Sequence, residues 1–252
     1  MSHESIKSQL INFLKTEVEK AGLDSVIVGI SGGLDSAIVS ILCKEVFGDK
    51  MRGVLMPSHY SSDASINDAK ELCEKFDIAY ETISIAPMVE AFESNMDGDK
   101  LRVGNFSARM RMSVLYDQSA KYNSLVVGTS NKSEILLGYG TIFGDVACAI
   151  NPIGEMYKSY EYDFGRFLGV TEAILTKKPS ADLWEGQSDE DELGYTYKTM
   201  DEGLKLIVDE ALSKEEILGR GIDEKLYDML VYRIKSNEFK GKLPTIANIK
   251  WS

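Results

Sequence analysis

Residues Ser25 to Ser36 read SVIVGISGGLDS, and the character of the chain changes sharply at Ser31. The residues before that point are mostly apolar and β-branched, which favours a short buried strand. Two glycines then interrupt the run, and from Ser36 to Phe47 apolar side chains recur with the period of a helix. The sequence therefore predicts a strand, a glycine-rich turn and a helix in direct succession.

Strand and helix patterns alternate on both sides of this unit. The predicted strands lie at 51–57 (MRGVLMP), 79–85 (AYETISI) and 124–129 (SLVVGT), and the predicted helices at 5–22, 62–76 and 104–122. Continuous apolar strands separated by helices are typical of a parallel sheet that is covered on both faces. The predicted fold class is therefore α/β, a doubly wound, Rossmann-like parallel sheet flanked by helices.

The C-terminal part of the chain carries no comparable strand pattern. Helical periods occur near 157–169, 196–211 and 222–236, so this part is predicted to be mostly helical. The acidic stretch Asp182 to Glu192 (DLWEGQSDEDE) is predicted to be an exposed loop. A length of 252 residues, 44% of them hydrophobic, suits a single domain spanning 1–252.

Charge and histidine content exclude several classes of function. Forty acidic residues against 28 basic ones give a net charge of -12, which disfavours binding to long nucleic acid. His3 and His59 are the only histidines, which leaves little scope for histidine metal sites. No segment stays apolar over the roughly 18 residues that a membrane span needs, and the first residues lack the layout of a secretory signal. We expect a cytoplasmic protein that binds neither nucleic acid nor membrane.

The turn SGGLDS has the chemistry of a phosphate site. Glycines let the backbone approach a ligand closely, and the first N–H groups of a helix attract anions. Ser31 and Ser36 add hydroxyl groups, whereas Asp35 would repel a polyphosphate unless a divalent cation lay between them. Mg²⁺ prefers such oxygen ligands. We therefore predict a nucleotide phosphate site with Mg²⁺; the alternative is an ordinary glycine-rich turn in which Asp35 and Ser36 cap the helix.

Competing motifs are absent or incomplete. Walker A, GxxxxGK[ST], occurs nowhere, and GYG at 138–140 continues to Phe143 where GxGxxG requires a glycine. GISGG at 29–33 does satisfy GxSxG, the nucleophile elbow of α/β hydrolases. Such a serine needs a histidine base far downstream, and no histidine follows His59. The hydrolase interpretation fails for that reason.

SGGLDS resembles the pyrophosphate-binding loop, SGGxDS, of the ATP-pyrophosphatase superfamily, which includes NAD, GMP, asparagine and argininosuccinate synthetases. Further segments resemble the NAD synthetases in order and spacing. They are MPSHYSSDAS from Met56, NFSARMRM from Asn105, GTSNKSE from Gly128, GYGTIFGD leading to NPIGEMYK, which ends at Lys158, and KPSADLWEGQSDEDELG from Lys178. Together these segments cover most of residues 25–195, so their joint occurrence is far more specific than the loop alone.

The resemblance implies roles for individual residues. The implied ATP-binding residues are Gly29, Ile30, Ser31, Gly32, Gly33, Leu34, Asp35, Ser36, Thr129, Lys158 and Ser180. Asp35 and Glu134 are the implied Mg²⁺ ligands, and Asp35 and Lys158 the implied catalytic residues. Three simpler alternatives stay open: Glu134 as an ordinary first-turn carboxylate, Thr129 as a helix cap, and Lys158 as a surface lysine.

The substrate side of the site matches the family less well. Arg109 and Lys240 match residues that bind deamido-NAD in the family, and a guanidinium suits a pyrophosphate or carboxylate. Many members carry a lysine, an aspartate and a histidine where this chain has Ile142, Ala149 and Phe239. Asp145 is predicted to supply part of the missing polarity as a further substrate-binding residue.

The reaction implied by the resemblance is the last step of NAD biosynthesis. ATP adenylates the nicotinate carboxylate of deamido-NAD, pyrophosphate leaves, and ammonia displaces AMP. Ammonia is the expected nitrogen donor because 252 residues leave no room for the glutaminase domain of a glutamine-using member. The resemblance also implies Mg²⁺ as cofactor and a homodimer. The alternatives are another synthetase of the superfamily and a nucleotide-binding protein of this fold without turnover.

Overall fold

The computed structural model describes residues 1–250 except 98, 181–183 and 185. The strands are β1 (Val26–Gly29), β2 (Met51–Leu55), β3 (Ala79–Thr82) and β4 (Leu125–Val127). The helices are α1 (His3–Lys20), α2 (Leu34–Phe47), α3 (Asp63–Lys75), α4 (Ala86–Asn95), α5 (Lys100–Tyr122), α6 (Lys132–Leu137), α7 (Lys158–Leu168), α8 (Glu172–Thr176), α9 (Asp189–Leu193), α10 (Tyr197–Leu204), α11 (Lys214–Gly219) and α12 (Glu224–Asn237). A π-helical turn, Lys205–Asp209, extends α10, and a 3-10 turn, Glu238–Gly241, follows α12.

The four strands form one parallel sheet in the order β3-β2-β1-β4. The chain runs outward from β1 to β3 and then crosses back, so that β4 lies on the other side of β1. In such sheets, ligands bind outside the carboxyl ends of the strands where the winding direction changes. Here that point lies between the ends of β1 and β4. The predicted doubly wound α/β fold is confirmed.

Alternate residues of β1 pack on opposite faces of the sheet. Val26 and Val28 belong to a core cluster with α1, α2 and α7, whereas Ile27 packs against α4 and α5. All three side chains are fully buried, so helices cover both faces. A separate apolar cluster joins α6, α10 and α12. No helix in the described part of the chain combines the length and the apolar character that crossing a membrane requires.

The sequence does not predict α4, α6, α8 or α11. Three of these, α6, α8 and α11, span only five or six residues, too few to show a helical period. The long helix α5 also begins at Lys100 instead of residue 104, because the Asp99 side chain accepts a hydrogen bond from the Arg102 N–H at 2.9 Å and caps it.

The predicted loop from Asp182 to Glu192 is wrong in its last part. Asp189–Leu193 is the helix α9, which the Ser188 side chain caps. Asp189 is buried and accepts a hydrogen bond from the Tyr139 hydroxyl at 3.1 Å, although an acidic run in a sequence usually indicates a solvated segment. Residues 182, 183 and 185 of the predicted loop lie outside the described residues.

Candidate phosphate and metal site

The SGGLDS turn begins directly after β1 and ends in the first turn of α2. Gly33 is the N-cap of α2 and gives it no side-chain cap, so the first N–H groups of the helix remain available to an anion. The two serines hold the turn in shape: the Ser36 hydroxyl donates to Gly33 O at 3.0 Å, and Ser31 Oγ accepts from the Gly33 N–H at 3.2 Å. The turn therefore has the form expected of a phosphate cradle.

Gly32 brings this turn against the start of α3. Its φ is +80°, and a Cβ atom built there would lie 2.2 Å from the backbone oxygen of Ser65. Lys177 spans the same junction: its ammonium lies 3.4 Å from Gly32 O, 3.2 Å from Ser65 Oγ and 2.6 Å from a carboxylate oxygen of Asp68. Only glycine fits both the φ angle and the close approach.

Gly32→Ala is expected to lower kcat/KM for ATP by about 100-fold, because the turn must move by about 1 Å to escape Ser65. Gly22→Ala is the matched control, since Gly22 has a φ of +71° with open space around it. Both substitutions should cost about 1–2 kcal/mol of unfolding free energy from the φ angle alone. Urea unfolding and ATP kinetics of the two variants separate the effects; equal kinetics would show that the contact with Ser65 is unimportant.

Asp35 receives hydrogen bonds from two separate helices. Its Oδ1 accepts from the Asn131 side-chain amide at 2.7 Å, and its Oδ2 accepts a short bond from the Lys158 ammonium. Asn131 is the N-cap of α6, and Lys158 is the first residue of α7. The structure thus brings Asp35 and Lys158 together at the switch point between β1 and β4.

Lys158 is buried, with only 5% of its side chain exposed, so it is not a surface lysine. Burial would lower its pKa, but Asp35 and Glu161 outweigh burial and hold the pKa well above its ordinary value. Burial likewise acts to raise the pKa of Asp35, and Lys158 outweighs it and keeps that pKa low. Both groups are therefore charged at neutral pH.

Glu134 lies beside this pair and shares Asn131 with Asp35. Its Oε2 accepts from the Asn131 N–H at 3.3 Å, and its own N–H donates to Asn131 Oδ1 at 2.9 Å, which makes a capping box. Glu134 is thus a first-turn carboxylate of α6, as the simpler alternative had it, and it also neighbours Asp35. Burial and then the charge of Asp35 raise its pKa well above the ordinary value.

The charges of this cluster suit a divalent cation. Glu161 is fully buried, its carboxylate lies 3.4 Å from the Lys158 ammonium, and it neighbours Asp35. Burial and Asp35 raise its pKa as well. Three carboxylates face one ammonium, an excess that Mg²⁺ would balance. No group of three or more metal-binding side chains occurs in the described part of the chain, so an ion held by Asp35 and Glu134 would take its other ligands from phosphate and water.

Two further predicted ATP contacts, Thr129 and Ser180, lie in the segments that follow β4 and α8. Thr129 is the second residue after β4 and follows Gly128, whose N–H donates to Ile150 O at 2.8 Å. Ser180 is exposed and follows α8, three residues beyond Lys177. Both roles stay predictions.

The three predicted substrate residues gather around the loop that follows α6. Asp145 is exposed and accepts from the Thr141 N–H at 2.8 Å, while the Thr141 hydroxyl donates to Asn105 Oδ1 on α5 at 2.7 Å. Arg109 lies one helical turn beyond Asn105 and therefore on the same face of α5. Lys240 donates to Gly138 O at 2.7 Å and to Gly140 O at 3.1 Å, both in the loop.

Comparison with known proteins assigns the family. The profile of the NAD synthase family matches residues 6–244. The chain belongs to the NAD synthase family.

Similarity to three known proteins extends over nearly the whole chain. The chain is 48% identical over 247 residues to the NH(3)-dependent NAD(+) synthetase of Wolinella succinogenes, and the match covers 98% of this chain and 96% of the relative. Its structure resembles the NH3-dependent NAD synthetase of Campylobacter jejuni, with a TM-score of 0.85, 40% identity and coverage of 98% and 100%. It also resembles the NMN synthetase of Francisella tularensis, with a TM-score of 0.88, 33% identity and coverage of 99% and 100%. The family and the ligase function predicted from the motifs are confirmed.

In this member of the NAD synthase family, the structure places further residues at the candidate site that the sequence does not single out. Asn131 lies within the GTSNKSE segment, but its bond to Asp35 joins residues 96 positions apart. Glu161 lies in a helical pattern, where a carboxylate usually faces solvent. Lys177 is adjacent to the KPSADL segment and reaches the phosphate turn across 145 positions. The first and third lie in or beside recognised motifs, which is the only sequence signal that marks them.

Proposed function

We propose that the chain joins ammonia to deamido-NAD with ATP, giving NAD, AMP and pyrophosphate. We also propose that ATP binds at the SGGLDS turn, beside the side chains of Asp35, Glu134 and Lys158. The observation that carries this proposal is the meeting of Asp35, Asn131 and Lys158 beside the SGGLDS turn, at the switch point of the sheet, in a member of the NAD synthase family. A phosphate cradle, a buried cation and two neighbouring carboxylates are what a nucleotide with a divalent cation requires.

Each group on the ATP side has a distinct part. The N–H groups of the SGGLDS turn and the hydroxyls of Ser31 and Ser36 bind the two outer phosphates. Lys158 neutralises phosphate charge as it develops on the leaving group. Asp35 and Glu134 would hold Mg²⁺, which would supply positive charge to offset that of the phosphates.

The chemistry proceeds in two balanced steps. A carboxylate oxygen of the nicotinate ring attacks the α-phosphorus of ATP, and the bond from that phosphorus to the β-bridging oxygen breaks, so that pyrophosphate leaves. Ammonia then attacks the carboxyl carbon of the adenylate, loses a proton, and the bond to the AMP oxygen breaks. The protein binds and orients the reactants and stabilises charge without forming a covalent bond to them.

On the substrate side, we assign Arg109, Asp145 and Lys240 to deamido-NAD. The Arg109 guanidinium has no hydrogen bond or ion pair within the described residues, whereas the Arg111 guanidinium donates to Met56 O at 3.1 Å. The free guanidinium of Arg109 is therefore the one available to a pyrophosphate or carboxylate. Arg109→Met should raise KM for deamido-NAD by about tenfold and leave KM for ATP unchanged; a change in the ATP value alone would contradict the assignment.

The direct test is an assay with purified protein, Mg²⁺, ATP, ammonium and deamido-NAD. We expect NAD, AMP and pyrophosphate in equal amounts, and none of them when deamido-NAD is omitted. Formation of ADP and phosphate would eliminate adenylation. Replacing Mg²⁺ by a chelator should stop the reaction; full activity in the chelator would refute the metal assignment.

NMN formation by the same chemistry is the second candidate. It is favoured by the likeness to the Francisella tularensis NMN synthetase and by Ile142, Ala149 and Phe239, which depart from the usual substrate-side residues. The substrate would then be nicotinate mononucleotide. Comparing kcat/KM for the two nucleotides decides between them, and we expect the dinucleotide to be preferred.

We further propose a single domain spanning 1–252, a homodimer and a cytoplasmic location. The homodimer follows from the resemblance to the family, and Leu101 and Tyr116 of α5 are large hydrophobic side chains that the chain itself leaves exposed. Sedimentation velocity would refute the homodimer if the protein sediments as a monomer at micromolar concentration. Limited proteolysis and cell fractionation test the other two proposals.

A further inference from the structure

A buried carboxylate from the C-terminal helices reaches the helix that carries Lys158. Asp201 lies on α10 and has no exposed surface. Its Oδ1 accepts a hydrogen bond from the Ser133 hydroxyl at 2.6 Å, and its Oδ2 accepts one from the Ser159 N–H at 2.8 Å. Asp201 therefore joins the first turn of α6 to the first turn of α7.

These two turns are also bonded directly to each other. The Lys158 N–H donates to Ser133 Oγ at 3.0 Å, and the Lys132 N–H donates to Met156 O at 2.8 Å. The Ser133 hydroxyl thus accepts from Lys158 and donates to Asp201. The backbone N–H groups of Lys158 and Ser159 are both held by Asp201, one directly and one through a single hydroxyl.

These contacts replace a cap that α7 lacks. The first N–H groups of a helix have no partner within the helix, and the side chain of the N-cap residue Tyr157 accepts no hydrogen bond from them. A negative charge near a helix N-terminus is also favourable. A carboxylate from a distant element therefore fixes the position at which α7 begins.

We propose that Asp201 is a positioning residue for the ligase reaction, which fixes the start of α7 so that the Lys158 ammonium faces Asp35 and the phosphate turn. The proposal rests on the proposed role of Lys158. A lysine side chain is long and flexible, so its ammonium is placed accurately only when the backbone at its base is fixed. Asp201 holds that base, while Asp35 receives the other end.

The test is a double-mutant cycle between Asp201 and Lys158. Asp201→Asn keeps the size of the side chain but presents its NH₂ group to one of the two donors. It should lower kcat by about 100-fold, the effect of about 1 Å of misplacement. In a Lys158→Met background, the same change should lower kcat by less than threefold, while lowering the unfolding temperature as much as it does in the wild type.

Two further variants keep the proposal falsifiable. Ser133→Ala removes the linking hydroxyl with little change in volume and should show the same dependence on Lys158, even if Asp201→Asn does not fold. Leu230→Ala removes a fully buried side chain from the cluster that joins α6, α10 and α12, so it destabilises the same region without touching the polar link. Its kcat should stay within twofold of the wild type at a temperature where the protein is folded.

The possible results are distinct. Equal losses of kcat from Asp201→Asn with and without Lys158, or wild-type kcat in folded Asp201→Asn and Ser133→Ala, would overturn the proposal. If Lys158→Met alone retained activity, the assigned role of Lys158 would fail instead, which separates an error in the proposed function from an error about Asp201.

Discussion

Asp35→Asn is expected to lower kcat/KM for ATP by about 1,000-fold, roughly 4 kcal/mol of transition-state stabilisation. Asparagine keeps an oxygen for the Asn131 amide, but it loses the charge that a metal ligand needs and places an NH₂ group against the Lys158 ammonium. The fold should survive, because Glu161 lies 3.4 Å from Lys158 and remains as its partner. The Mg²⁺ concentration for half-maximal rate should rise in the same variant.

The chain offers a matched control for this substitution at the amino ends of the strands. Asp24 lies just before β1 and forms an exposed ion pair with Lys50 at 2.5 Å. Asp24→Asn also removes an aspartate charge from an ion pair with a lysine. Because Asp24 lies far from the carboxyl ends of the strands, kcat/KM should stay unchanged. Steady-state kinetics of both variants at limiting Mg²⁺ check this; activity within threefold of wild type for Asp35→Asn would refute the metal and ATP roles of Asp35.

The sequence predicts the strand, turn and helix that carry Asp35, because these elements are adjacent in the chain. A strand, two glycines and a helix follow one another within SVIVGISGGLDS, so the position of Asp35 at a strand end depends on neighbouring residues alone. The partners of Asp35 are different: Lys158 is 123 positions away and Asn131 is 96. Their roles could be expected only from the motifs around them, since periodicity carries no information about contacts between distant elements.

The buried acidic residues are the part of the site that the sequence predicts least well. Glu161 and Asp201 lie on helices, where a carboxylate is normally expected on the solvent face, yet both have no exposed surface. Their burial depends on how α7 and α10 pack against α2 and α6, and on partners such as Ser133. Asp189 is a third case, because its acidic neighbours predict a solvated loop while its own side chain accepts from Tyr139.

Lys158→Met is expected to lower kcat by about 1,000-fold, since it removes the buried cation that faces the leaving phosphates. Unlike Asp35→Asn, it should also destabilise the fold by about 3–5 kcal/mol, because it leaves buried carboxylates without a counter-charge. Methionine keeps the apolar length of the side chain, so the loss would come from charge and not from a cavity. Denaturant unfolding and kinetics of the purified variant measure the two effects.

Added Mg²⁺ then distinguishes the electrostatic explanation from simple loss of packing. Without the Lys158 ammonium, Asp35 and Glu134 should attract a divalent cation more strongly, so Mg²⁺ should raise the unfolding temperature of Lys158→Met more than that of the wild type. Lys50→Met, which breaks the exposed pair with Asp24, should change stability by about 1 kcal/mol or less and show no such response to Mg²⁺. An equal response of all three proteins to Mg²⁺ would mean that the carboxylates around Asp35 do not form the cation site.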